Sequence, residues 1–236
     1  MKAAWILGNG PSLMETPLDL LKDEDTFAVN NIQRIFEYTS WRPKFYVRTD
    51  DAVDAQFNTD RNKVVTEIDG VMKEGVMCYL GSYFYNIMWK NGYYLGMMKI
   101  MPADMCHGQR LHAQDHESCK GWHFYPDGRM KQLCSFGGSV SVAIQIASIR
   151  QRKPYEYDEI YLVGCDLGFT KDGSDHFVND YYDHENDPVP AEVREMDTVA
   201  AHKIAKTWSR IPIYNATIGG NLEVYERVDF FDVLRR

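Results

Sequence analysis

No apolar run in the chain approaches the ~20 residues of a membrane-spanning helix. Positive charge is not in excess: 26 Lys and Arg stand against 34 Asp and Glu, a net charge of −8. Duplex nucleic acid is therefore not an expected partner, because phosphate contacts need clustered Lys and Arg. Local basic pockets stay open. Cysteine is sparse and odd in number: Cys78, Cys106, Cys119, Cys134 and Cys165 form no CxxC pair and read as reduced thiols. The start of the chain lacks the features of a secretory signal, since Met1-Lys2 leads into a short apolar run and then Gly-Asn-Gly. The expected compartment is the cytoplasm. The stretch Ile6 to Leu13, "ILGNGPSL", has neither the Lys-Ser/Thr of a P-loop nor the third glycine of a dinucleotide fingerprint.

What is present supports a full core. Hydrophobic residues make up 44% of 236 residues, enough for one domain over 1–236. Ala3 to Leu7 reads as a strand buried on both faces. A polar, helix-compatible segment follows at Leu18 to Lys22. "TFAVNN", Thr26 to Asn31, and "KFYVRTD", Lys44 to Asp50, read as further strands, with shorter candidates at Lys63 to Glu67 and Val76 to Leu80. From Gly81 to Leu133 there is no clean period, and residues 81–133 are taken as an insertion. Val140, Ala143, Ile144 and Ala147 fall at helical spacing with Ser139 placed to cap. "DEIYLVGCDLG" reads as a strand. A second helix is expected from about Pro190 to Ser209 with Val193, Met196, Ala200 and Ile204 on one face, then a last strand at Ile211 to Thr217. Strands alternating with helices predict an α/β, Rossmann-like, mostly parallel sheet with helices on both faces, plus an inserted lid or small subdomain.

In such sheets ligands bind at the carboxyl ends of the strands. Asn9, Gly10 and Ser12 follow the first strand, Asn30 the second, and Gly164, Cys165 and Asp166 the Ile160–Val163 strand. Gly137, Gly138 and Ser139 precede a helix, where amides and the helix dipole converge on an anion. Asn30 stands where a dinucleotide enzyme places Asp or Glu, so NAD is disfavoured; an amide there can both donate to and accept from a ribose or base edge. Each feature alone is as often a plain turn, but together they point to a nucleotide. The polar stretch 170–189 is too long for a simple connection and reads as a lid loop. It carries His176, Tyr181 and His184, and a histidine is the natural general base for a hydroxyl acceptor. A second cluster, Cys106, His107, His112, His116, Cys119 and His123, matches no standard zinc spacing, so a structural zinc is disfavoured.

"GNGPSL", "FAVNN", "GGSVSVAIQIA", "EIYLVGCDLGF", "KDGSDHF" and the YxxH of Tyr181 and His184 resemble, in this order, the bacterial lipooligosaccharide sialyltransferases that use CMP-sialic acid. The same order resembles a broader set of proteins related to the archaeal hydroxymethylpterin diphosphokinase, and the closing "YNATIGGNLEVYERVDF" is more like that set. The resemblance covers the two ends of the chain. It implies that Asn9, Gly10, Ser12 and Asn30 hold the CMP ribose and phosphate, that Gly138, Gly164, Cys165 and Asp166 line the cytidine site, and that His184 is the base. It implies no cofactor, and no metal, because lid tyrosines steady the departing phosphate. Here Phe169 and His176 fall near those tyrosine positions, Gly137-Gly138 replaces a Ser-Gly, and Arg48 or Asp50 replaces an asparagine. His176 is the residue expected to bind the leaving phosphate in the tyrosines' place.

The expected function is glycosyl transfer from a nucleotide-sugar donor, CMP-linked by preference, to a glycan or small hydroxyl acceptor. Amides of residues 8–12 and 137–139 would stabilise the leaving phosphate. An acceptor carried on a lipid would bring the protein peripherally to a membrane. Aromatics at 13% suit sugar stacking or a subunit surface, so a homo-oligomer is compatible with the chain. Two other functions fit the same residues. One is an ATP- and Mg-dependent diphosphokinase with carboxylates at Asp50, Asp51 or Asp166. The other is a nucleotide- or glycan-binding module without chemistry.

Overall fold

The computed structural model describes residues 1–49, 61–93, 100–103, 122–124, 130–134, 138–149, 156–168, 176–178 and 191–236. The main sheet is built from β1 (Ala3–Leu7), β2 (Asp25–Val29), β3 (Phe45–Arg48), β4 (Met77–Gly81), β5 (Ile100–Ala103), β8 (Glu159–Val163), β9 (Ile213–Asn215) and β10 (Glu226–Arg227). Its order is β10-β9-β8-β1-β2-β3-β4-β5, and every neighbouring pair is parallel. A separate antiparallel pair joins β6 (His123–Phe124) and β7 (Met130–Gln132). The helices are α1 (Arg61–Met72), α2 (Ser82–Lys90), α3 (Gly138–Ile149), α4 (Ala191–Trp208) and α5 (Phe230–Leu234). This is the expected Rossmann-like α/β architecture.

The central strands are continuous apolar runs because both of their faces are covered. On β1, Trp5 and Leu7 join a core with Val64, Ile68 and Val71 of α1 and Phe84, Ile87 and Met88 of α2. Ala4 and Ile6, pointing the other way, join Val142, Ala143 and Ile146 of α3 and Ala205 of α4. The strand's period of two thus sorts its residues into two cores. Burying each large side chain contributes roughly 2 kcal/mol. Helix α3 is buried nearly all round, from Ser139 to Ser148, since it lies between the sheet and α4.

Two expectations change. Lys63 to Glu67 is helix, not strand: Val64, Ile68 and Val71 recur at helical spacing and are buried on one side of α1. Among the α4 side chains described, which do not include Val193, the buried positions are Ala201, His202 and Ala205, whereas Met196 is 62% exposed. The small residues let α4 approach α3 closely, and the longer Met196 is left to solvent. The stretch 81–133 supplies β5 at the edge of the main sheet, α2 packed against β4 and β5, and the small β6–β7 pair. No helix among the described residues is long and apolar enough to cross a membrane.

Two buried polar groups fix this frame. Gln145 of α3 accepts from Cys134 N at 2.8 Å and donates to Cys134 O at 2.7 Å, tying α3 to the chain just ahead of it. Asp25, at the amino end of β2, is 4% exposed and meets Lys2 at 2.8 Å, Lys44, and the Tyr157 hydroxyl at 3.0 Å. Burial alone would push the Asp25 carboxyl up, but the bonds from Lys2, Lys44 and Tyr157 outweigh it and hold it below the ordinary carboxylate range. A depressed folded value means that this stabilisation is complete above the unfolded value of about 4 and is lost as pH falls through the folded value. Asp25→Ala should therefore cost about 2 kcal/mol near neutral pH. In urea melts the gap between variant and wild type should close in acid; a gap that persists there would remove the ion cluster from the account.

Candidate functional site

Strand order reverses between β8 and β1, the place where open α/β sheets form their ligand crevice. The loops after these two strands are locked together. Gly8 N donates to Val163 O at 2.8 Å and Gly10 N to Gly164 O at 2.9 Å. Ser12 lies in the first turn of a short 3-10 helix, Pro11–Glu15, and reaches across to Asp166: its hydroxyl donates to Oδ2 at 2.8 Å and its backbone amide to Oδ1 at 3.3 Å. Asn9 Nδ2 donates to Val29 O at 2.9 Å, which ties the turn to the end of β2.

Glycine is required here by the packing of loop on loop. A Cβ on Gly8 would lie 2.5 Å from Gly164 O, and one on Gly10 would fall on the Asp166 carboxyl. The amides of this turn are engaged as well. Gly8, Gly10 and Ser12 donate to protein acceptors and Pro11 has no N–H, so these amides are not free to stabilise a leaving phosphate.

The other candidate residues are placed as follows. Asn30 adopts φ +48°, a conformation that asparagine tolerates better than other side chains, and its backbone N donates to Val47 O at 3.1 Å. Ser139 lies inside the first turn of α3, and it bonds the end of β3: Thr49 N donates to its hydroxyl at 3.2 Å, with the two hydroxyls 3.3 Å apart. It is thus a docking contact and not the cap. Gly138 begins α3 at φ +80°. Cys165 points into the core, where burial foremost pushes its thiol up to about 12, and its backbone N donates to Thr217 Oγ1 at 3.1 Å. His176 is half-buried, and its neighbour Phe177 donates its amide to Asn9 O at 2.9 Å, which brings that segment onto the β1 turn. Gly137, Tyr181 and His184 lie outside the described residues, as do Asp50, Asp51, Phe169 and most of 170–189. Cys106, His107, His112, His116 and Cys119 do too. Among the described residues, no three His, Cys, Asp or Glu side chains group as metal ligands.

Asp166 is the electrostatic centre of the described site. Burial foremost pushes its carboxyl above the ordinary range, and the two Ser12 bonds act against that. The next residue, Leu167, has φ +59°, between Gly164 at +63° and Gly168 at +89°. A bulky side chain there stores roughly 1–2 kcal/mol of strain. Strain of this kind gathers at ligand sites.

Sequence reasoning missed the support for Asp166. Asn221 N and Leu222 N donate to its carbonyl at 2.5 and 3.2 Å, and Gly220 packs against its backbone. Arg227 in turn holds the carbonyls of Thr217, Gly219 and Gly220. The paired glycines of "IGGNL" were the available signal for such a close approach.

Comparison of the chain with known protein families, with curated proteins and with solved structures gives no match.

Proposed function

We propose that this chain is a transferase that takes a sugar from a nucleotide-activated donor, CMP-linked by preference, and joins it to a hydroxyl acceptor. The observation that carries the reading is the reversal of strand order between β1 and β8, with Asn9, Gly10, Ser12, Gly164 and Asp166 gathered at it and Asn30 one strand away. An asparagine at the end of β2 suits a ribose or base edge and disfavours NAD. The order of motifs, which resembles that of the CMP-sialic-acid enzymes, supports the choice of donor. The acceptor oxygen attacks the anomeric carbon, the bond from that carbon to the nucleotide phosphate breaks, and His184 takes the acceptor's proton. His176, brought beside the β1 turn through Phe177, and the start of α3 at Gly138 and Ser139 are left to steady the departing phosphate. Holding donor and acceptor together supplies a further part of the rate.

A panel of nucleotides in melting curves tests this reading. A ligand that binds only the folded chain at 100 times its dissociation constant adds about 2.7 kcal/mol of stability. Stabilisation by CMP or CDP without metal is the expected result. Stabilisation by ATP only with magnesium would replace the transferase with the diphosphokinase, and stabilisation without turnover of any activated sugar would leave a binding module.

A further inference from the structure

The β1 turn carries its own anion. Ser12 gives both its hydroxyl and its amide to Asp166, at 2.8 and 3.3 Å, and these are the donors that a phosphate would use in that turn. The carboxylate fits so closely over Gly10 that a Cβ there would collide with it. Its backbone is fixed from the far side, where Asn221 N and Leu222 N donate to its carbonyl and a Cβ on Gly220 would lie 2.6 Å from its Cα. That loop is gripped by Arg227, whose Nη2 donates to Thr217 O at 2.9 Å and to Gly219 O, and whose Nη1 donates to Gly220 O at 3.4 Å. The C-terminal segment thereby presses Asp166 onto Ser12, 154 residues away in the chain.

We propose that Asp166 is a built-in anion that fills the β1 turn, so that the turn rejects phosphate and admits only an uncharged, hydroxyl-bearing part of the ligand, with Arg227 as the residue that positions it. A phosphate seated on the Ser12 amide has to displace the carboxylate or lie beside it, like charge against like charge. This specificity rests on the β1–β8 crevice being the ligand site, but its test needs no nucleotide.

The test follows the Ser12 amide resonance of labelled protein titrated with inorganic phosphate, against chloride at equal ionic strength. In the wild type this resonance stays put. In Asp166→Ala and in Asp166→Asn, which keeps the shape without the charge, it shifts saturably, with phosphate affinity raised at least about tenfold. Arg227→Ala keeps the carboxylate but loosens its seat, and it should show a smaller gain; no gain there, with a gain in the Asp166 variants, removes Arg227 from the proposal. A saturable Ser12 shift in the wild type overturns the proposal even if every variant fails to fold, and so does the absence of gain in both Asp166 variants. Failure of the transferase reading would show separately, as a nucleotide panel without binding, and would leave the phosphate titration readable.

Discussion

Replacing His184 with alanine should lower sugar transfer by about 100- to 10,000-fold, the usual worth of a positioned general base. The loss should fall on kcat, because a base acts on the acceptor's proton as the new bond forms and adds little to donor binding. The nucleotide-induced rise in melting temperature should be kept. The acid limb of the wild-type pH–rate profile should also vanish, since a base must be neutral to accept a proton and falling pH charges it. Full activity in the variant would show that the base lies elsewhere, with His176 as the first residue to try. A loss of both transfer and nucleotide stabilisation would make His184 a binding residue.

Gly8→Ala should be strongly destabilising for a single added methyl. The added carbon would lie 2.5 Å from Gly164 O and 2.9 Å from Cys165 Sγ, with Gly164 C at 3.1 Å. Two of those three neighbours are backbone, so relief requires β1 and β8 to part at their carboxyl ends, where the Gly8–Val163 hydrogen bond closes them. Overpacking of this kind costs about 3 kcal/mol. Gly70→Ala is the matched control. It lies within α1 with nothing inside 4 Å of its added carbon, and alanine there should stabilise the helix by about 0.8 kcal/mol. Urea denaturation of the two variants measures the contrast. Equal stabilities would mean that the β1 and β8 loops are not packed as described.

Legibility in the sequence followed the range of the interactions involved. β1 was readable to the residue, because a strand buried on both faces is an unbroken apolar run that ends at glycine. The Gly-Cys-Asp after β8 was readable as a strand end, and parallel topology then brings it to the β1 turn. Lys63 to Glu67 misled because Val64 and Val65 favour strands locally, while the pattern that decides, Val64, Ile68 and Val71, extends over about two turns. α2 was hidden in an aromatic- and Met-rich stretch, although Phe84, Ile87 and Met88 already had helical spacing. The state of the β1 turn was not readable at all. "GNGPS" looks the same whether its amides face a ligand or an internal acceptor, and what separates the two is a bond to Asp166 from 154 residues away, seated by a clamp from Arg227.

The central claim is that the crevice between β1 and β8 binds a nucleotide, and mapping the backbone amide shifts caused by CMP tests it most directly. The expected changes gather at Asn30, Gly138, Ser139 and residues 164–166, at the carboxyl ends of the strands. The amino ends, where Lys2, Asp25 and Asp158 meet, should be silent. Changes centred on those amino ends, or none at saturating CMP, would contradict it.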